Sequence, residues 1–389
     1  MRSVEALAAA SLFRGVSLDR LGALVSEGEQ RRLADGDVLL RPGDHNRMLW
    51  VLLSGRLEIR FAGGAPGSIE VEAGDCVGEF SIIDGEPASA WVVARGACEL
   101  LGLPEHSVWS SLFTLPAFVR NLLQILTQRL RRAVQRQAAY DQLLKELQVA
   151  RVIQSSMLPV GHGMFPDHPE LSCGAAMDAA AAVGGDFFDA FFLDERHLFL
   201  AVGDVAGKGI AAALFMARCL TLLRQEALQR RPVRELMGRV NQTLAQAGEA
   251  GPFLALFAAV LDATSGELRF ANGGLGTPLL RRAGRWERPA MPRGLVLGIF
   301  PEFEYEAGRL RLAPGDALAV FTDGVTDAAG TEGEPFGEAR LLEALEQAGD
   351  PPAPEVVSAV RERVRAFVGG ADPVDDFTLL VVKRCAEPQ

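Results

Sequence analysis

Only five cysteines occur in 389 residues (Cys76, Cys98, Cys173, Cys219 and Cys385), and no two stand in a CxxC spacing. An odd, scattered set excludes a disulfide framework and a cysteine zinc site. It fits reduced thiols in the cytoplasm. An excess of basic charge is also missing: 39 Lys and Arg against 50 Asp and Glu leave a formal charge of −11. A nucleic-acid binder needs a basic surface, so none is expected. The basic cluster Arg120, Arg129, Arg131, Arg132 and Arg136 reads as a solvated helix face. Long apolar runs are absent as well. Uncharged stretches such as residues 251–261 fall well short of the ~20 residues a membrane helix needs. The apolar stretch at the N-terminus is bracketed by Glu5 and Arg14, and its pattern continues into Leu21 and Val25. It predicts a domain's first helix, not a signal peptide.

What remains is a well-packed chain, 49% hydrophobic and 23% charged, of a length that predicts two or three domains. Three segments differ in character. From about residue 35 to 103 short alternating stretches (37–40, 48–53, 56–61, 68–71 and 90–103) are separated by Pro42-Gly-Asp44, Ser54-Gly-Arg56 and Ala73-Gly-Asp75. This spacing predicts a β jelly-roll or antiparallel barrel. From 116 to 158 there is no glycine, and Leu123, Leu126, Leu130, Ala133, Gln137, Tyr140, Leu144 and Leu147 recur in a heptad-like seam. That segment predicts a helical linker and a homodimer through it, with an ordinary amphipathic helix as the alternative. Pro159 ends the helix. From 159 to 389 strands and helices come in blocks, which predicts an α+β sandwich rather than a parallel sheet. The expected domains are 1–115, 116–158 and 159–389.

Four aspartates stand out. Asp186 precedes an apolar stretch in Gly-Gly-Asp-Phe-Phe-Asp, and Asp204 follows one in Gly-Asp-Val-Ala-Gly-Lys-Gly. Asp323 follows another in Phe-Thr-Asp-Gly-Val-Thr-Asp, and Asp375 precedes a third in Asp-Asp-Phe-Thr-Leu-Leu. Each alone reads as a turn residue. Together they suggest strand ends meeting at one rim. Converging carboxylates repel unless a cation lies between them. Hard ions such as Mg²⁺ or Mn²⁺ suit oxygen donors. Two of them about 3.5–4 Å apart suit in-line phosphoryl displacement. Gly184, Gly185, Gly207 and Gly209 would let the backbone approach metal and phosphate closely.

The stretch from about 146 to 382 resembles the SpoIIE/RsbU branch of the metal-dependent PPM serine/threonine phosphatases. The carrying motifs are Glu-Leu-Gln-Val-Ala-Arg-Val-Ile-Gln (146–154), Gly-Gly-Asp-Phe-Phe-Asp (184–189), Gly-Asp-Val-Ala-Gly-Lys-Gly (203–209), Pro-Gly-Asp (314–316), Phe-Thr-Asp-Gly-Val-Thr-Asp (321–327), Phe-Gly-Glu (336–338) and Asp-Asp-Phe-Thr (375–378). The resemblance implies two divalent cations, Mn²⁺ or Mg²⁺. Asp204 would bridge them, the Val205 carbonyl and Asp186 would serve the first, and Asp323 and Asp375 the second. Asp186 and Asp204 would then be catalytic through a metal-activated water. Asp189 and Asp376 lie nearby without a firm role. Many relatives carry a histidine two residues after the bridging aspartate; here Ala206 stands there. No arginine near the first motif offers a phosphate clamp. The implied substrate is a phosphoprotein, typically an anti-sigma-factor antagonist in a partner-switching pathway. The alternative is a catalytically silent scaffold that binds a phosphoprotein.

Residues from about 12 to 113 resemble a cyclic-nucleotide-binding domain, through Gly78-Glu-Phe-Ser-Ile-Ile-Asp-Gly-Glu-Pro-Ala-Ser-Ala-Trp91. The resemblance implies that Glu79 accepts a ribose 2′-hydroxyl. The usual phosphate-pairing arginine is replaced by Ala88. A charge-assisted contact of about 1.5–3 kcal/mol is thereby lost, about one to two decades of affinity. No helix-turn-helix follows. The expectation is a sensor domain regulating the C-terminal part through the linker.

Overall fold

The computed structural model describes residues 2–61, 68–159, 164–246, 251–371 and 373–385. The chain divides into two compact units, Met1–Asp141 and Gln142–Gln389, with the boundary inside one helix, Pro116–Met157. Among the described residues no helix is long and apolar enough to cross a membrane.

In the first unit six strands form an antiparallel sheet. The path runs Glu29–Leu33, Ala90–Pro104, Met48–Phe61, Ser68–Glu72; Val38–Leu40 pairs with the second of these, and Cys76–Val77 with the third. Alternation along Met48–Phe61 divides two cores. Leu49 and Val51 pack with Leu101, Leu103 and the helical residues Leu21, Phe118 and Leu122. Trp50 and Leu52 pack with Leu33, Leu39 and Leu100 on the other side. Two sequence expectations change here. The single first helix is two, Arg2–Ala9 and Leu18–Glu27, separated by a short 3₁₀ turn at Ser11–Phe13. Ser54-Gly-Arg56 is not a turn between strands. One strand runs through it with a register shift on either side of Ser54, and Gly55 takes φ +93. This is a β-bulge, where a left-handed residue lets the strand bend without ending.

The second unit is a four-layer sandwich. One five-stranded sheet comprises, from edge to edge, Gly308–Arg311, Glu267–Gly273, Leu254–Asp262, His197–Val205 and Phe187–Phe192. The other comprises Arg285–Glu287, Leu279–Arg282, Ala317–Phe321, Phe377–Arg384 and Leu171–Asp178. Strands buried on both faces read as continuous apolar runs, and the period of two sorts their side chains. Leu200 and Val202 face the space between the sheets with Val320, Leu380 and Val382. Phe199 and Ala201 face helices Ile210–Leu228 and Val233–Ala245. Leu379 and Val381 face helices Gly337–Ala348 and Ala353–Val368. The turn at 263–266 is held by Asp262, whose Oδ1 accepts from Thr264 N at 2.9 Å and Ser265 N at 3.2 Å. Leu214, an apolar position of its helix by sequence, points outward and is 69% exposed, whereas Cys219 is fully buried.

Candidate metal centre

Antiparallel pairing brings the four aspartates to corresponding places. Phe187 lies opposite Gly203, so Asp186, just before one strand, and Asp204, near the end of its neighbour, reach the same end of their sheet. In the other sheet Phe321 lies opposite Leu379, and Thr322 N donates to Thr378 O at 3.1 Å. Asp323 and Asp375 therefore leave that sheet together. The carboxylates also sense one another across the two sheets. Burial first, then the charges of Asp323 and Asp375, push Asp204 up to about 6, while a hydrogen bond with Asp186 opposes the rise. Burial and the Asp204 charge hold Asp186 well above the ordinary carboxylate range. Burial and then Asp375 raise Asp323. Val205 extends the group through its main chain: a Cβ on Gly185 would stand 2.7 Å from the Val205 carbonyl oxygen.

Asp186 and the loop before it are held from behind. Thr322 Oγ1 donates to Asp186 Oδ2 at 2.7 Å. Asp376 is 7% exposed and pins the loop before Asp186: its Oδ1 accepts from Ala180 N at 2.8 Å, and its Oδ2 from Gly185 N at 2.8 Å and Asp186 N at 3.3 Å. A side chain at Gly184 would collide with that carboxylate. The glycine is needed for the close approach of this loop to Asp376. Gln154 clamps the same residue, donating to Gly184 O at 2.6 Å and accepting from Gly184 N at 3.2 Å. Asp189 is 1% exposed and accepts from Arg224 at 2.7 and 3.1 Å. Arg224 also donates to the Met157 carbonyl at 2.9 Å. Lys208 lies at the rim, 3.4 Å from Asp375 Oδ2, and donates to Val374 O at 2.6 Å.

Among the described residues no three His, Cys, Asp or Glu side chains close into a finished cage for an ion. The donor set nevertheless suits a hard divalent cation. It is all oxygen, and burial with neighbouring negative charge raises the pKa of Asp186, Asp204 and Asp323, a cost that a cation between them offsets. Sequence reasoning pointed to the four acids but not to Thr322, Gln154 or Asp376 as their supports. Thr322 sits inside the Phe-Thr-Asp motif, so its position was visible; its role depends on a contact 136 residues away. Glu79 lies elsewhere, in the first unit, 3% exposed and bound by Arg129.

Comparison with known proteins gives this arrangement a family. Residues 194–385 match the model of Stage II sporulation protein E, and residues 30–114 that of the cyclic nucleotide-binding domain. Protein IcfG of Synechocystis is 28% identical over 266 residues, covering 61% of this chain and 41% of IcfG. Phosphoserine phosphatase RsbU of Bacillus subtilis is 25% identical over 249 residues, covering 63% of this chain and 71% of RsbU. The chain thus spans only about two fifths of the first relative's length. The SiaA-PP2C domain of Pseudomonas aeruginosa superposes with a TM-score of 0.56 at 23% identity, covering 63% of this chain and 98% of that one; it shares the sandwich fold. Residues 194–385 are thus similar to the SpoIIE/RsbU phosphatases, and residues 30–114 on their N-terminal side to the cyclic nucleotide-binding domain.

Proposed function

We propose that this protein is a divalent-metal-dependent protein serine/threonine phosphatase. One observation carries the reading: Asp186, Asp204, Asp323 and Asp375 come from the ends of two facing sheets, and burial together with neighbouring carboxylates raises the pKa of Asp186, Asp204 and Asp323, none of which pairs with an arginine. In this reading Asp204 bridges two Mn²⁺ or Mg²⁺ ions, with Asp186 and the Val205 carbonyl on one and Asp323 and Asp375 on the other. Ions held there lower the pKa of water and steady both oxygens of an in-line displacement. The chain's own residues fix the donors. Thr322 orients Asp186, and Asp376 and Gln154 hold the loop that carries it.

The phosphoserine phosphatases among the relatives support a phosphoprotein substrate; our reading extends this to an anti-sigma-factor antagonist in a partner-switching pathway, acted on in the cytoplasm by a homodimer joined through 116–158. Leu123, Leu130, Tyr140 and Leu144 of that helix are 40–64% exposed, as an unpaired seam requires. Control by the N-terminal domain (1–115) over the catalytic domain (159–389) fits the tie between the helix end and the site: Gln154 to Gly184, and the Met157 carbonyl to Arg224. The test is release of phosphate from a phosphoserine antagonist with and without Mn²⁺. Asp204→Asn is expected to lose at least the ~100-fold that loss of even an outer-shell metal partner can cost. Equal, metal-independent rates for wild type and variant would overturn the proposal. Binding of phosphoprotein without turnover would establish the scaffold reading instead.

A further inference from the structure

The first unit holds a cavity of about 450 Å³ between the strands and the helix Pro116–Met157. That size is within the range of small-molecule sites. Its walls are hydrocarbon: Ile59, Ile69, Val77 and Val92 from the sheet, Leu126 from the helix. Ala88 lines it where the related fold has a phosphate-binding arginine, and is itself 9% exposed.

Two charged groups line it, and each is engaged by the other. Arg129 is the only cation among the described lining residues. Its Nη1 donates to Glu79 Oε1, and its Nη2 donates to the Cys76 carbonyl at 2.8 Å. The Glu79 carboxylate, the acceptor expected for a ribose hydroxyl, is engaged by the same guanidinium. A cyclic phosphate placed here would lose its water and meet no free positive charge. Phe80, Leu123 and Leu130, which also line it, are 56%, 58% and 64% exposed, so apolar surface stands open to water at its mouth, a cost that a bound hydrocarbon removes.

We infer that this cavity binds a lipid-like small molecule, predominantly hydrocarbon with a single hydrogen-bonding head group, in place of a cyclic nucleotide. The wall hydroxyls of Ser81, Ser89 and Thr127 are of the right kind for such a head group. The inference does not depend on the phosphatase reading, and its test does not use phosphatase activity.

The full chain is titrated with the uncharged fluorophore N-phenyl-1-naphthylamine, and bound probe is displaced with dodecanol, dodecanoate, cyclic AMP or cyclic GMP. Saturable binding of one probe per chain is expected, displaced by the twelve-carbon compounds and not by the nucleotides. Ala88→Phe and Ser89→Trp narrow the cavity from different positions and should each weaken the probe at least tenfold. Ser89 is exposed, so its variant serves if Ala88→Phe does not fold. Displacement by either cyclic nucleotide, absence of saturable binding, or full probe affinity in a folded Ser89→Trp variant would overturn the inference.

Discussion

The two units treat buried carboxylates in opposite ways. In the first, Glu79 is buried and closed off by Arg129, and what remains of the cavity is predominantly hydrocarbon with a few hydroxyls. In the second, Asp189 is closed off in the same manner by Arg224, yet Asp186, Asp204 and Asp323 are raised by burial and by neighbouring carboxylates with no arginine to offset them. A carboxylate with its own arginine is a finished structural pair. Carboxylates gathered without one are an arrangement whose cation comes from outside. The contrast separates acids with a finished partner from acids without one within one chain.

The largest expected effect tests the finished pairs. Arg224→Met leaves Asp189 buried without its partner and should cost about 3–5 kcal/mol of stability, the range for breaking a buried pair. Arg129→Met should do the same to the first unit through Glu79. Urea titration followed by probes in each unit measures both. Losses under about 1 kcal/mol would show that water reaches these acids, and the contrast with the open cluster would vanish.

Next comes the open cluster. Saturating Mn²⁺ at a hundredfold its Kd should stabilise the second unit by about 2.7 kcal/mol, and Asp204→Asn should remove that gain. Without metal the sign reverses. Asp204 is pushed up to about 6 from 3.8, so the folded state keeps its proton longer than the unfolded one. The resulting stabilisation is complete below about pH 3.8 and is lost as pH rises through about 6. Above that pH the metal-free Asp204→Asn variant should melt higher than wild type. A wild type that melts higher without metal would mean the acids do not repel.

Thr322→Val, smaller again, deletes the 2.7 Å hydrogen bond to Asp186. Bonds to charged groups contribute about 1.5–3 kcal/mol, and the metal concentration for half-maximal activity should rise. Thr322→Ser keeps the hydroxyl and should restore it. A valine variant with unchanged metal dependence would show that Asp186 needs no such support.

These contrasts were unevenly legible in the sequence. The four acids could be read because each flanks an apolar strand, and antiparallel pairing then sets their common end. The Ala88 replacement could be read because it changes charge at one motif position. Neither arginine pairing could be read. Arg129 looked like one of several basic residues on a solvated helix face, and its partner lies 50 residues away. Asp189 lay near the first motif without a firm role, and only the helix bearing Arg224 gives it a partner. The bulge at Gly55 was misread for a related reason. Ser-Gly between alternating stretches signals a turn locally, and only pairing with the neighbouring strand tells a bend from an end.

The smallest effect bears on how the open cluster is kept in shape without an arginine. Gln154→Ala removes a neutral clamp, two hydrogen bonds to Gly184, and changes no charge. Gly184 is also fixed by its contact with Asp376, and water can replace part of what is lost. The stability cost should therefore be near the ~1 kcal/mol of one net hydrogen bond. The loop that carries Asp186 is freer, however, and outer-shell contacts of this kind govern metal affinity by roughly 10–100-fold. The half-saturating Mn²⁺ concentration should rise about tenfold while the melting temperature barely moves. A variant that lost stability but kept its metal affinity would assign the loop's position to Asp376 alone, and would leave the end of the helix with no hold on the site through Gln154.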